Sequence, residues 1–418
     1  MKRSADEARE RGRRTGGVGE VGSFKVVRGP ALNPGWELTL GGRGVPDRVA
    51  RRVTVAMACP DIVRSAAEVT PEWMTAVLTG VGVLVGGRVT VVRSTAVGTG
   101  QMADTARLAL TYDRADAGPP SVVGKFASSD EQSRATGLAL RAYEIEVRFY
   151  QEVATRVAAR VPALYAAEVE SDTGWFTLIL EDIVGARQGD QIEACSPEVA
   201  AAALEEMAGL HAPCWEAPDL AGLDWLNRNS VESDGFLTML VSSLWPGFLE
   251  RYADQLAPEH VAICQFFVDH LPSYLQGRTG PRTASHGDFR LDNLLFQPGQ
   301  RRPVVVDWQT LGWGGASLDV AYFIGGCLSA ENRRSHEHDL LTHYHDALRG
   351  GGVTDYSLDQ LRRDTRRDTF GGILMAIVAS MVVQRTDRGD LMFLTSTTRH
   401  AQHVIDAEAT ATLAVTSD

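Results

Sequence analysis

The spacing of hydrophobic and polar residues changes character several times along the chain. Up to about Val55 no period holds and glycine and arginine are frequent, so residues 1-55 read as a disordered extension outside the fold. Helical spacing begins near Thr70. Thr70-Pro71-Glu72 supplies a capping hydroxyl, a proline for the first turn and an acid at the positive end of the dipole, and Trp73, Val77 and Leu78 follow on one face. From Val89 the period becomes two. Val89 and Val91 lead into the turn Val97-Gly98-Thr99-Gly100-Gln101, after which Ala106, Leu108, Leu110 and Tyr112 alternate with their neighbours. A third strand is expected over residues 121–127, one long helix over 132–160, and two more strands near 163–169 and 175–181. Together these make a small antiparallel-sheet lobe over residues 56-183.

After Asp182 the spacing is helical. Helices are expected from Ser196 toward His211 and over about 231–252, 258–275, 318–330, 336–348, 358–385 and 390–406. One compact non-helical stretch, residues 284–315, interrupts them. The expectation for residues 184-418 is therefore a mainly helical lobe carrying a loop-rich insert, and for the whole chain an α+β class.

Composition narrows the function. A chain of 418 residues suits two lobes plus an extension. Its 41 basic against 53 acidic residues leave a formal charge of −12, which argues against a general nucleic-acid binder. Five cysteines without a CxxC pair argue against a disulfide framework or a zinc site and point to a reducing cytoplasm. No apolar run follows Lys2 and Arg3, as a signal peptide would require. The longest apolar stretch, residues 371–383, falls short of the ~20 residues of a membrane helix and reads as core. No membrane and no obligate protein partner are expected. His336, His338, His343 and His345 are not spaced by four, so a solvated helical face is the expectation rather than a metal site.

The chemistry concentrates in Ser285-His286-Gly287-Asp288-Phe289-Arg290-Leu291-Asp292-Asn293, followed by the apolar run Pro303–Val306 and Asp307-Trp308-Gln309. Phosphoryl transfer needs a group that orients and deprotonates the attacking hydroxyl, and oxygen ligands for a Mg²⁺ on the phosphates. Asp288 suits the first role, and Asn293 and Asp307 the second. His286 reads as a brace of the loop. Trp245, Phe248, Trp308 and Trp313 could line an acceptor pocket or fill the core, and the sequence leaves both open.

This HGDxxxxN…DW pattern resembles the aminoglycoside phosphotransferase and choline kinase superfamily, in its finer motifs the ecdysteroid-kinase-like and acyl-CoA-dehydrogenase-associated branches. The resemblance implies a two-lobed protein-kinase-like fold and further site residues. Lys125 in Val-Val-Gly-Lys would hold the α- and β-phosphates of ATP. Glu146 would be its ion-pair partner, with Glu144 as a competitor. Leu180-Glu181-Asp182-Ile183 would be the hinge that meets adenine, with Glu181 and Ile183 as contacts. Gly98, Gly100 and Gln101 would approach the phosphates. Asp319 in Ser-Leu-Asp-Val-Ala-Tyr would brace the catalytic segments. The implied function is an ATP- and Mg²⁺-dependent transfer to a hydroxyl of a small-molecule alcohol. The alternatives are an antibiotic-inactivating enzyme and an ATP-binding regulator without transfer activity. A glycine stands where protein kinases have the arginine of HRD, which argues against a protein acceptor.

Overall fold

The computed structural model describes residues 61–98, 102–278 and 280–413. The expected extension, and the Gly100 and Gln101 assignments, lie outside the described residues. Helix α1 (Pro71–Gly80) starts as expected, with the Thr70 hydroxyl accepting the Trp73 N–H at 3.1 Å. The sheet comprises β1 (Val89–Ala96), β2 (Ala103–Tyr112), β3 (Ser121–Ala127), β4 (Leu164–Val169) and β5 (Phe176–Glu181). All pairings are antiparallel, in the order β1-β2-β3-β5-β4. On one face Leu108, Val122, Phe126 and Ile179 pack against Met74, Val77 and Leu78 of α1. On the other, Ala103, Ala127, Phe176 and Leu178 join the core that runs into the helical lobe. The two-residue alternation of β3 places Lys125 on that second face, between Thr105 and Leu178.

The single helix expected over residues 132–160 is broken. Helix α2 (Glu131–Ala139) ends, Arg141 takes a left-handed conformation at φ +57°, and α3 (Ala142–Arg148) starts in a new direction before a wide turn over Phe149–Val153. Packing drives the break. Gly137 leaves room for the ring of Tyr143, which stacks on Phe176 at 4.6 Å, and Arg141 is pinned to Glu144 at 2.9 Å. The redirected α3 carries Glu146 into the interior.

The second lobe contains β6 (Arg187–Gln188), α4 (Pro197–Cys214), α5 (Pro218–Ala221), α6 (Val231–Tyr252) and α7 (Pro258–Gln276). The insert follows, with β7 (Arg282–Ser285), β8 (Leu294–Phe296), β9 (Val304–Val305) and β10 (Gly312–Gly315). Helices α8 (Ala316–Cys327), α9 (Ala330–Gly350), α10 (Leu358–Asp368), α11 (Gly371–Val382) and α12 (Asp387–Asp406) complete it. The antiparallel sheets β6-β8-β9 and β7-β10 frame the loop-rich insert. The helix expected over 358–385 is two helices. The chain breaks at Thr369-Phe370, where the buried Phe370 ring stacks on Phe267 at 5.4 Å.

Trp245, Phe248, Trp308 and Trp313 are all buried in these cores, so they fill space rather than line a pocket in this conformation. The solvated histidine face holds only in part: His345 is buried on α9, its Nε2 2.8 Å from the Tyr356 carbonyl. Among the described residues no group of three histidine, cysteine or acidic side chains could hold a metal ion. No helix there is long and apolar enough to cross a membrane.

Candidate active site

Lys125 projects from β3 to the boundary of the lobes, its stem covered and its side chain 12% exposed. Its Nζ lies 2.7 and 2.6 Å from the Glu146 oxygens and 3.1 Å from Asp307 Oδ1. Burial works to lower the Lys125 pKa, but the carboxylates of Asp307 and Glu146 outweigh it and hold the ammonium charged well above the usual lysine range. Asp307 is held below the ordinary aspartate value: burial opposes ionisation, and the Lys125 charge and hydrogen bond overcome it. Glu146, rather than Glu144, is the partner; Glu144 faces Arg141 and Arg148. Glu146 also accepts from Gln309 Nε2 at 3.2 Å, which ties α3 to the segment after Asp307.

Asp307 adopts φ +67°, a left-handed conformation that aspartate and asparagine tolerate better than most side chains. Two residues earlier the chain is still strand β9, and the Val306 N–H donates to the Asn293 carbonyl at 3.0 Å. The segments that carry Asn293 and Asp307 are therefore joined through the backbone.

Asp288 occupies the loop after β7. Its carboxylate accepts from Arg290 Nε at 3.0 Å, Asn293 Nδ2 at 3.0 Å and the Tyr322 hydroxyl at 2.9 Å. Asn293 spends its amide nitrogen on Asp288, which leaves its oxygen as the atom available to a cation. Arg290 bridges to Asp292 at 2.5 Å, and Asp292 is held in turn by Arg388 of α12 at 3.3 Å. Gly287 sits at φ +80°, and a Cβ there would stand 2.7 Å from the Thr310 carbonyl, so the turn admits no side chain.

Asp319, in the first turn of α8, accepts the backbone N–H of His286 at 2.6 Å and of Gly287 at 2.9 Å, with His211 Nε2 at 3.1 Å. Burial opposes its ionisation, but the His211 contact and the Gly287 N–H keep its pKa below the usual value. The His286 ring lies against Trp308, with Nε2 3.2 Å from the Val306 carbonyl, and braces the loop as expected. Just past the end of β5, Asp182 is bound by Arg107 at 2.7 Å and Ser121 at 2.6 Å. The neighbouring Ile183 N–H meets no backbone acceptor among the described residues. Gly98 turns the chain at φ +79° beyond β1.

Sequence reasoning missed Arg290, Gln309 and Tyr322 as site residues. All three stood inside the motifs: Tyr322 is three positions after Asp319, which places both on one helical face. Gln191 and His211 gave no local signal. Gln191 accepts the Leu291 N–H at 3.0 Å across 100 residues.

The donor set fits the groups that the resemblance implies. One carboxylate and one amide oxygen make a sparse site, which suits a Mg²⁺ that keeps waters and phosphate oxygens as its other ligands. A charged lysine beside them suits phosphates.

The model of the phosphotransferase enzyme family (APH) matches residues 108–354, more than half of the chain, and the protein belongs to that family. Acyl-CoA dehydrogenase family member 11 of Pongo abelii and of Homo sapiens is 29% identical over 110 residues, 25% of this chain and 14% of the relative. The chain thus spans a small part of the length of those curated relatives. Among solved structures, choline kinase from Cryptosporidium parvum Iowa II aligns at 9% identity and TM-score 0.49, over 76% of this chain and 89% of that one. A choline/ethanolamine kinase family protein from Mesorhizobium loti aligns at 15% identity and TM-score 0.43, over 79% and 96%.

Proposed function

We propose that the protein transfers the γ-phosphoryl group of ATP to a hydroxyl of a small-molecule alcohol. The observation that carries this reading is a pair of neighbouring side-chain clusters, Lys125 with Glu146 and Asp307 across the two lobes and Asp288 with Asn293, whose segments are joined where the Val306 N–H meets the Asn293 carbonyl at 3.0 Å. Lys125, oriented by Glu146, binds and neutralises the phosphates. The Ile183 N–H and the Glu181 carbonyl are the hinge groups offered to adenine, the Glu181 N–H being spent on the Ala163 carbonyl at 2.8 Å. Asn293 and Asp307 hold Mg²⁺, which supplies charge neutralisation on the phosphates. Asp288 orients the acceptor hydroxyl and takes its proton as the new O–P bond forms and the bond to the ADP oxygen breaks. Asp319 keeps the H-G-D turn in place while this happens.

The test combines a screen and a variant. Purified protein is assayed for ATP consumption against a panel of alcohols, sugars, aminoglycosides and hydroxyacyl thioesters. Asp288→Asn is then compared by calorimetry and steady-state kinetics. The expected variant binds Mg-ATP as the parent does and loses about 10²–10⁴-fold in transfer rate. Wild-type turnover in Asp288→Asn removes it from the mechanism.

A further inference from the structure

The two oxygens of the Asp288 carboxylate hold different partners. Oδ2 accepts two side-chain hydrogen bonds, from Arg290 and Asn293, both at 3.0 Å. Among the described residues Oδ1 accepts one, from the Tyr322 hydroxyl at 2.9 Å. A carboxylate oxygen has about two acceptor sites. Oδ2 is therefore filled and Oδ1 keeps one site open. A hydroxyl that gives its proton to Asp288 must do so at Oδ1, beside the phenol.

Tyr322 is itself held unusually firmly. Its ring lies parallel to that of His400 on α12, with centroids 5.3 Å apart and 3° between the planes. His400 is fully buried. It occupies a slot walled by Gly325 of α8 and Gly372 of α11, where a Cβ would stand 2.7 and 2.1 Å from its Nδ1. Neither ring nitrogen finds a hydrogen-bond partner among the described residues. Burial, then the nearby cations, push its pKa down to about 3, so the ring is a flat neutral wall. Burial, and after it the Asp288 charge, hold the Tyr322 phenol well above its ordinary value, so it remains a donor. Three helices thus converge on one hydrogen bond.

Resting on the reading of Asp288 as the base, we infer that Tyr322 is a positioning residue, whose phenol fixes the carboxylate so that the open site of Oδ1 faces the acceptor hydroxyl. The test uses the full chain and Tyr322→Phe, which removes one oxygen and keeps the stacked ring. ADP release from Mg-ATP is measured with water as acceptor and with the panel alcohol of highest turnover. The same assay is run on Asp288→Asn and on the double variant. Loss of a hydrogen bond to a charged group lowers kcat about ten- to hundredfold. The Michaelis constant for ATP stays at the parent value, while the melting temperature falls by a few degrees because the same bond is missing from the fold. Because Tyr322 acts through Asp288, the double variant is no slower than Asp288→Asn alone. Parent-level kcat in Tyr322→Phe alongside an inactive Asp288→Asn overturns the positioning role and leaves the base intact. Additive losses, or a loss that follows ATP affinity, overturn it as well. Full turnover in Asp288→Asn, or no ATP consumption by the parent with any acceptor, overturns the base reading and the inference together.

Discussion

Replacing Asp319 by asparagine keeps the shape of the side chain and removes the charge around which the H-G-D turn is built. The buried carboxylate faces three partners: the His286 N–H at 2.6 Å, the Gly287 N–H at 2.9 Å and His211 Nε2 at 3.1 Å. Asparagine offers one acceptor oxygen, and its amide hydrogens then point at a backbone donor. One buried N–H is left unpaired, at a cost of about 1–3 kcal/mol, and the surviving bonds lose their charge assistance. A total of about 2–4 kcal/mol follows, enough to lower the melting temperature by several degrees. Asp288 lies one residue beyond Gly287, so displacement of the turn also lowers turnover by about a hundredfold. The folded-state pKa of Asp319 lies below its unfolded value. Its contribution is therefore complete above the unfolded value and disappears as pH falls through the folded one. Thermal melts of parent and variant should differ most at neutral pH and converge in acid, with steady-state kinetics measured on the same preparations. Equal melting and equal turnover at pH 7, or a gap that widens on acidification, refutes the argument.

Asp307→Asn tolerates the left-handed backbone at φ +67° but loses the charge paired with Lys125 at 3.1 Å, so it should melt below the parent at neutral pH as well as lose transfer; retained turnover at ordinary Mg²⁺ moves the metal ligand elsewhere. Lys125→Ala should raise the Michaelis constant for ATP, and Lys125→Arg should restore it incompletely because a planar fork replaces a point charge; unchanged ATP dependence in the alanine variant contradicts this. Asp368 is buried, and burial raises its pKa from 3.8 to about 6 despite the Ser317 hydrogen bond. A raised carboxyl costs stability as pH rises through that interval, so Asp368→Asn should gain up to about 3 kcal/mol at pH 7 and little at pH 4. Denaturant melts at the two pH values decide it, and equal gains at both would sink the assignment.

What the sequence alone determined lies close together in the chain. Period two in residues 89–112 and 121–127, period 3.6 after Asp182, and the H-G-D…N…D-W spacing are local patterns. Local geometry is what alternation, capping and turn residues encode. The α+β class, the family, and Asp288, Asn293 and Asp307 as one candidate group were legible for that reason. Tertiary structure decided the rest. The break at Arg141 depends on Tyr143 reaching Phe176, and the break at Phe370 on Phe267, neither of which is visible in helical spacing. The choice of Glu146 over Glu144, first made by resemblance, has its physical cause in that redirected helix, which turns one acid toward Lys125 and the other toward Arg148. Buried hydrogen bonds such as Gln191 to Leu291 and His211 to Asp319 join residues about a hundred positions apart. Each forms only when packing excludes water from both ends, and no pattern within a single segment records that.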